Sequence, residues 1–414
     1  MGKQENKAGR EPSRKTPLVR FPEFKDDWEV KKLGEVLIHT PRPMPKPKSN
    51  YLSIGLRSHF KGTFQKPNTN PNKNAMDTLY EIKENDLIVN ITFAWEGALA
   101  IVTKEDDGGF VSHRFPTYNF EKGFSNIFFK YHFFREKNKN QLGIVSPGGA
   151  GRNRVMNKND FVKLKLPFPT LSEQQKIAHF FSTLDKKLTQ LQDKKNALEQ
   201  YKKGMMQQIF SQQLRFKDDN GKDFPEWEEK RLGEVGKDFK LGGNYINSDK
   251  KTNNPLIKMG NLDRGFISLK TTYFISDSEE INEDDLIKFG DLFFNTRNTL
   301  DLVGKVAIWR NDIKKAYFNS NLMRIKFDNN FYMNYWFNSN IGLQRLRELA
   351  TGTTSVAAIY TKDLVKIKFQ LPTLNEQAKI AHFLTAIDEK INNVSKQIAQ
   401  TKAYKKGLSQ KMFV

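Results

Sequence analysis

Between residues 19 and 166, and again between 217 and 369, apolar residues come in short runs cut by Asn, Asp and Gly. Leu87-Ile88-Val89, Leu292-Phe293-Phe294 and Val306-Ala307-Ile308 have the length and composition of short buried strands, and the polar interruptions are turn formers. Both segments predict α+β domains with some helix.

Elsewhere the period changes. From Ser172 to about Gln212, and from Asn375 to about Lys411, there is no proline and a single glycine each, Gly204 and Gly407. Ser172 and Asn375 follow Pro-Thr-Leu and precede Glu and Gln, a helix-start signature in which Gln175 completes a capping box and Ala378 does not. The pattern predicts a short helix leading into a long one in each half. Leu184, Leu188, Leu191, Leu198 and Tyr201 follow the 4-3-7-3 spacing of a coiled-coil seam, and Ile387, Ile391, Val394 and Ile398 follow 4-3-4. Where Lys195 interrupts the first stripe the second has Ile398, and where the second has Thr401 the first has Leu198. The two seams are thus expected to pair; the competing expectation is that each stripe packs on its own globular domain.

The chain also repeats. Residues Pro169 to Phe180 recur as Pro372 to Phe383, and Tyr201-Lys202-Lys203-Gly204 as Tyr404-Lys405-Lys406-Gly407, both shifted by 203 residues. Trp28 to Val36 recurs as Trp227 to Val235, shifted by 199. Weaker echoes link Asp86-Leu87-Ile88-Val89-Asn90 to Asp291-Leu292-Phe293-Phe294-Asn295, and Gly149 to Gly352. The expected organisation is a disordered basic tail (1–18), a variable domain (19–166), a helical region (167–216), a second variable domain (217–369) and a second helical region (370–414).

Composition narrows the function. With 68 Lys and Arg against 47 Asp and Glu, the chain of 414 residues carries +21, an excess that calls for a polyanion, with nucleic acid foremost. The absence of cysteine excludes disulfides, thiolate metal sites and cysteine nucleophiles. No apolar stretch approaches the roughly 20 residues that span a bilayer, so a cytoplasmic protein without membrane contact is expected. No phosphate loop, dinucleotide turn, His-Glu-x-x-His motif or Asn-Pro-Pro-aromatic run occurs, and no catalytic residue, metal site or bound cofactor is expected. His179 and His382 read as packed or capping residues, and Glu283-Asp284-Asp285 as a solvated loop.

Groups suited to gripping phosphates and reading base edges lie beside strand ends and glycine turns. In the first domain they are Thr92, Trp95, His113, Arg114, Arg152, Asn153 and Arg154; in the second, Asn295, Arg297, Asn298, Asn319, Asn321, Thr353, Thr354 and Ser355. Gly148, Gly149, Gly151 and Gly352 are expected to let backbone approach a phosphate.

Two variable regions, each followed by a helix opening Pro-Thr-Leu-x-Glu-Gln-x-Lys-Ile-Ala, resemble the specificity subunit of type I restriction–modification enzymes over nearly the whole chain. Trp28 to Val36 and Trp227 to Val235 look like the entries of that family's target-recognition domains. Trp95-Glu96-Gly97-Ala98 and Leu302-Val303-Gly304-Lys305 are weaker supporting matches. The resemblance implies a non-catalytic subunit that reads a split double-stranded DNA target with one domain per half-site. It further implies two bound adenine-N6 methyltransferase subunits, joined in the full complex by restriction and translocase subunits; S-adenosylmethionine, ATP and magnesium belong to those partners. The helices then pair antiparallel as a ruler: about 28 residues span about 42 Å, or about 12 base pairs. A stand-alone DNA-binding or architectural protein with a helical spacer is the alternative from another class, and an unrecognised nuclease a distant third.

Overall fold

The computed structural model describes residues 16–148, 154–310 and 313–414, so the expected basic tail lies, through residue 15, outside the described residues. The chain divides into two units, one comprising the residues up to Leu191 together with Gln397–Val414, the other Gln192–Lys396. Both boundaries fall inside the long helices.

In the first unit, Leu87–Val89 is central to an antiparallel sheet of order Leu37–His39, Thr117–Phe120, Leu87–Val89, Leu99–Ile101. All three residues of that strand are buried, which is why it shows no alternation. Helices Asn126–Phe133 and Glu136–Ile144 supply the aromatic core against it. A second, five-stranded sheet carries the hairpin Tyr51–Leu56 and Thr63–Thr69.

The second unit repeats this plan. Asp238–Leu241, Leu322–Lys326, Leu292–Asn295 and Val306–Ile308 form the matching antiparallel strands, extended by Gly265–Phe266, with helices Asn330–Phe337 and Asn340–Leu349 behind them. The α+β reading and the three predicted strands agree with the structure.

The sequence repeat has a physical cause. Glu29–Lys32 pairs with Lys165–Phe168, and Glu228–Arg231 pairs with Lys368–Leu371 in the same register. Each ribbon sets a buried tryptophan against a fully buried carboxylate from the first helical turn. Trp28 Nε1 donates to Glu173 at 3.4 Å and Trp227 Nε1 to Glu376 at 3.0 Å. Arg20 clamps Glu173 with two hydrogen bonds of 2.7 and 2.6 Å, and Arg215 clamps Glu376 with bonds of 3.2 and 3.0 Å. The adjacent Gln174 and Gln377 donate to the carbonyls of Pro169 and Pro372. Distant motifs recur together because they are two sides of one contact, in which every buried polar group needs its partner.

Each helical region is one continuous helix, Leu171–Phe210 and Leu374–Lys411, rather than a short helix leading into a long one. The starts also differ from expectation. Gln174 N–H bonds the Thr170 carbonyl and Glu376 N–H bonds Thr373 Oγ1, so Ser172 and Asn375 lie inside the first turn and the box with Gln175 does not form. The threonine after each proline supplies the acceptor, two residues before the serine or asparagine.

The helices pack antiparallel, early turns of one against late turns of the other in both units. In the first unit Phe181 meets Phe413 with ring centroids 5.4 Å apart, and Lys405 pairs with Asp185. In the second, Lys202 reaches Asp388 at 2.6 Å, and Met206, Ile209 and Phe210 share one core with Ile380, Leu384 and Ile387. Tyr131 and Tyr335 donate to the same aspartates at 2.6 and 2.7 Å, tying each globular domain to its helix pair.

Of the seam residues, Ile387, Val394 and Ile398 are buried, and Leu184, Leu188, Leu191, Leu198 and Ile391 are half-buried. The stripe ends serve the domains as well: Leu184 packs on the first unit's core, Ile387 and Ile391 on the second's. Tyr201 is not a seam residue; it is exposed, as is Tyr404, and the next residue, Lys202, makes the cross-helix contact.

His132 shows how closed the first core is. Its Nε2–H donates to the Pro167 carbonyl at 2.8 Å, Nδ1 accepts from Arg135 at 3.0 Å, and its ring stacks on Phe413. Burial, reinforced by the nearby Arg135 and Lys137 charges, holds its pKa well below the ordinary imidazole value. The unfolded chain therefore takes up this proton first as pH falls. Its stability contribution is complete above about pH 6.5 and declines below, by at most about 1.4 kcal/mol per pH unit. Urea titrations at successive pH values should show this slope, and His132→Phe should flatten it; an unchanged slope would show that His132 is not its source.

Candidate nucleic-acid interface

The turn that follows the central strand is built the same way in both units. In the first, Asn90 Oδ1 accepts the Thr92 N–H at 3.1 Å, a short Asx turn that lifts Thr92 and Phe93 off the sheet. The chain then winds through Ala94–Glu96 to Gly97, whose φ of +80° suits glycine. Trp95 Nε1 donates to the Thr92 carbonyl at 3.2 Å, and the Arg154 guanidinium lies over the Trp95 ring at 5.5 Å. Arg114 Nη1 reaches Thr92 Oγ1 at 3.3 Å, with exposed His113 beside it. Thr92, Trp95, Arg114 and Arg154 therefore converge on one surface. Arg152 and Asn153 lie outside the described residues, as do Gly149 and Gly151.

One element of this surface has no signal in the sequence. The loop of the Tyr51–Leu56/Thr63–Thr69 hairpin docks on the turn: His59 N–H and Phe60 N–H each bond, at 2.8 Å, the carbonyls of Glu96 and Gly97, and Ser58 Oγ donates to Glu96 at 2.6 Å. His59 and Phe60 have φ of +61° and +55°, a conformation that costs about 1–3 kcal/mol per side-chain-bearing residue. Docking holds them there. A Cβ on Gly97 would sit 3.1 Å from the Phe60 ring, a tight contact beside the demand that its φ already makes for glycine. Arg57 and Lys61 on the same loop add positive charge.

In the second unit Asn295 stands where Asn90 does. It is fully buried, its Oδ1 accepts the Arg297 N–H at 3.3 Å, and its Nδ2 donates to the Leu302 carbonyl at 3.4 Å. Asn295 shapes the turn and is not available to a base, because both ends of its amide are used inside the protein. Arg297 is exposed and Asn298 half-buried on a strand that pairs with Ala357–Ala358, itself one arm of a hairpin with Thr351–Gly352. Exposed Thr353, Thr354 and Ser355 form the hairpin tip, which receives Leu300 N–H on the Thr354 carbonyl at 3.2 Å. Arg297, Asn298 and the Thr-Thr-Ser tip thus come together. Gly352 is required by the hairpin itself: at its φ of +127° a Cβ would lie 2.3 Å from the Val356 carbonyl. Asn321 borders the cluster, its carbonyl accepting from Thr296 Oγ1, whereas Asn319 is bridged to Gly243 and bonded to Ile257.

Two further expectations are corrected. His179 and His382 are exposed, because the helix buries residues 177–178 and 181, and 380–381 and 384, on the other face. Asp285 is buried rather than solvated, paired with Lys240 at 3.1 Å and accepting from Tyr245 Oη at 2.6 Å. No group of three or more His, Asp or Glu among the described residues is arranged to hold a metal ion, and no helix there is long and apolar enough to cross a membrane.

The family model for the type I restriction modification DNA specificity domain matches residues 25–200 and 225–402. The chain is 26% identical over 411 residues to the type I restriction enzyme MjaVIII specificity subunit of Methanocaldococcus jannaschii, covering 94% of this chain and 92% of that one. A putative MjaX specificity subunit of the same organism is 27% identical over 279 residues, covering 65% of this chain and 63% of the other. Among solved structures, the type I restriction–modification S subunit from M. genitalium superposes with a TM-score of 0.58 at 14% identity, covering 96% and 99% of the two chains. A chain from a study of assembly and conformational transition of the type I R-M system gives 0.51 at 20% identity, covering 92% and 95%.

Proposed function

We infer that this chain, which belongs to the type I restriction–modification DNA specificity family, reads a bipartite, asymmetric DNA target without catalysing a reaction itself. Each unit reads one half-site. The chain docks adenine-N6 methyltransferase subunits and, through them, restriction and translocase subunits, in the cytoplasm. S-adenosylmethionine, ATP and magnesium act on those partners.

The observation that carries this reading is the shared turn with unlike contents. Asn90 and Asn295 hold the same bend, yet the first displays Thr92, Trp95, Arg114 and Arg154 and the second Arg297, Asn298 and the Thr353–Ser355 tip. Equal frames presenting different donors suit two different half-sites. The excess of 21 positive charges suits the phosphates that flank them.

The test is a map of methylated adenines in cells expressing this chain with its methyltransferase, and with either alone. A two-part asymmetric motif with a fixed gap, present only with both, is the expected result; a contiguous palindrome, or no adenine mark, would refute the reading. Arg297→Ala should then cost about 1–3 kcal/mol of binding, confined to one half of that motif, if Arg297 reads a base. A loss equal on all sequences would assign it to a phosphate.

A further inference from the structure

Both recognition turns carry apolar side chains that solvent reaches. In the first unit Phe93 is 37% exposed and Val155 48%; in the second, Leu300 is 45% and Val356 59% exposed. A single exposed aliphatic residue needs no explanation, but each unit has one such residue shortly after the Asx turn, Phe93 three and Leu300 five residues beyond its asparagine, and one on the adjoining segment, though not at equivalent positions. Phe93 and Leu300 follow the Asx turn. Val155 and Val356 lie on the segment that returns beside it, where Met156 N–H bonds the Ile91 carbonyl in one unit and Ile359 N–H bonds the Thr296 carbonyl in the other. Their neighbours are donors: Arg114 and Arg154 in the first unit, Arg297, Thr353 and Ser355 in the second.

Resting on the reading of a split DNA target, we propose that Phe93 and Val155, and separately Leu300 and Val356, are specificity residues that recognise thymine through its C5-methyl group. The chemistry is selective. Along the major groove the thymine C5-methyl is the one apolar group that projects from a base pair, cytosine having only a C5–H there, and a Phe or aliphatic side chain reads it. Such a side chain set among cations gains nothing from phosphates, while Arg114, Arg154 and Arg297 serve the flanking backbone and base edges. Each half-site with a methylatable adenine contains a thymine opposite it, so each unit has a methyl to find.

The experiment uses the complex of this chain with its methyltransferase and duplexes carrying the mapped motif. Each thymine of the motif is replaced in turn by deoxyuridine, which removes the methyl and nothing else. At least one position in each half should weaken binding about three- to tenfold. Val356→Ala or Leu300→Ala should weaken the thymine duplex by a similar factor in one half only, with no further loss on the deoxyuridine duplex at that position. A flat deoxyuridine scan would overturn the proposal, and so would losses that multiply when variant and deoxyuridine are combined. The second outcome would identify the side chains as wedges between base steps. Absence of a split motif from the map would instead overturn the functional reading beneath it. All four residues are surface residues, and unchanged urea midpoints confirm that the variants fold.

Discussion

Glu376→Ala should destabilise the second unit by about 3–5 kcal/mol. The Glu376 carboxylate is fully buried and holds three donors, two from Arg215 and one from Trp227. Truncation leaves the Trp227 N–H without an acceptor in the core and removes the buried counter-charge of Arg215, which keeps the exposed Glu226 carboxylate at 3.2 Å. Arg215 also retains the Phe224 and Pro225 carbonyls, and the Glu226 charge, being exposed, neutralises it less than buried Glu376 does. Glu376→Gln, which keeps the shape and one acceptor, should cost less. Glu173→Ala should act likewise on the first unit, where Arg20 and Trp28 are left behind. Urea unfolding followed by tryptophan fluorescence reads both directly. A loss below about 1 kcal/mol would mean that the buried cluster does not hold the helix start to the ribbon.

Phe413→Ala should cost the first unit about 3–5 kcal/mol and release the end of the second long helix. The Phe413 ring is stacked on His132 at 5.2 Å, lies 5.4 Å from Phe181 and 5.8 Å from Phe128, and has the Arg135 guanidinium over it at 4.9 Å. Little can collapse into the space it would leave, since its neighbours are fixed aromatic rings. Polar contacts also reach this end, Val19 N–H donating to the Lys411 carbonyl and Arg135 Nη2 to the Val414 carbonyl, each at 3.0 Å, but the ring carries most of its buried apolar contact. Hydrogen exchange should show Gln397–Lys411 losing protection in the variant. Equal protection would show that Lys405 and Asp185 suffice. The residue 203 positions earlier, Phe210, packs in the second unit, so Phe210→Ala should leave the first unit unchanged.

The sequence by itself determined the α+β class, the two long helices and the doubling of the chain. Those depend on local period and on motifs whose residues meet the same partners twice: Trp28 and Glu173, Trp227 and Glu376. It also identified the surface in outline, since Thr92, Trp95, Arg114 and Arg154, and Arg297 with Thr353–Ser355, do come together. It did not separate display from scaffold. Asn295 has the same chemistry as Asn298, and only the buried amide of Asn295 bonded at both ends shows that it builds the turn. Tyr201 fits the heptad by spacing, yet helix phase leaves it exposed and gives its neighbour Lys202 the contact with Asp388.

What tertiary structure alone decided is which side chains have their bonding capacity spent inside the fold and which are left for a ligand. The left-handed His59 and Phe60 illustrate this, for no local preference selects that conformation; the carbonyls of Glu96 and Gly97, more than 30 residues away, impose it. Periodicity records a segment's own geometry, whereas burial and hydrogen-bond satisfaction depend on whatever distant segment folding brings alongside.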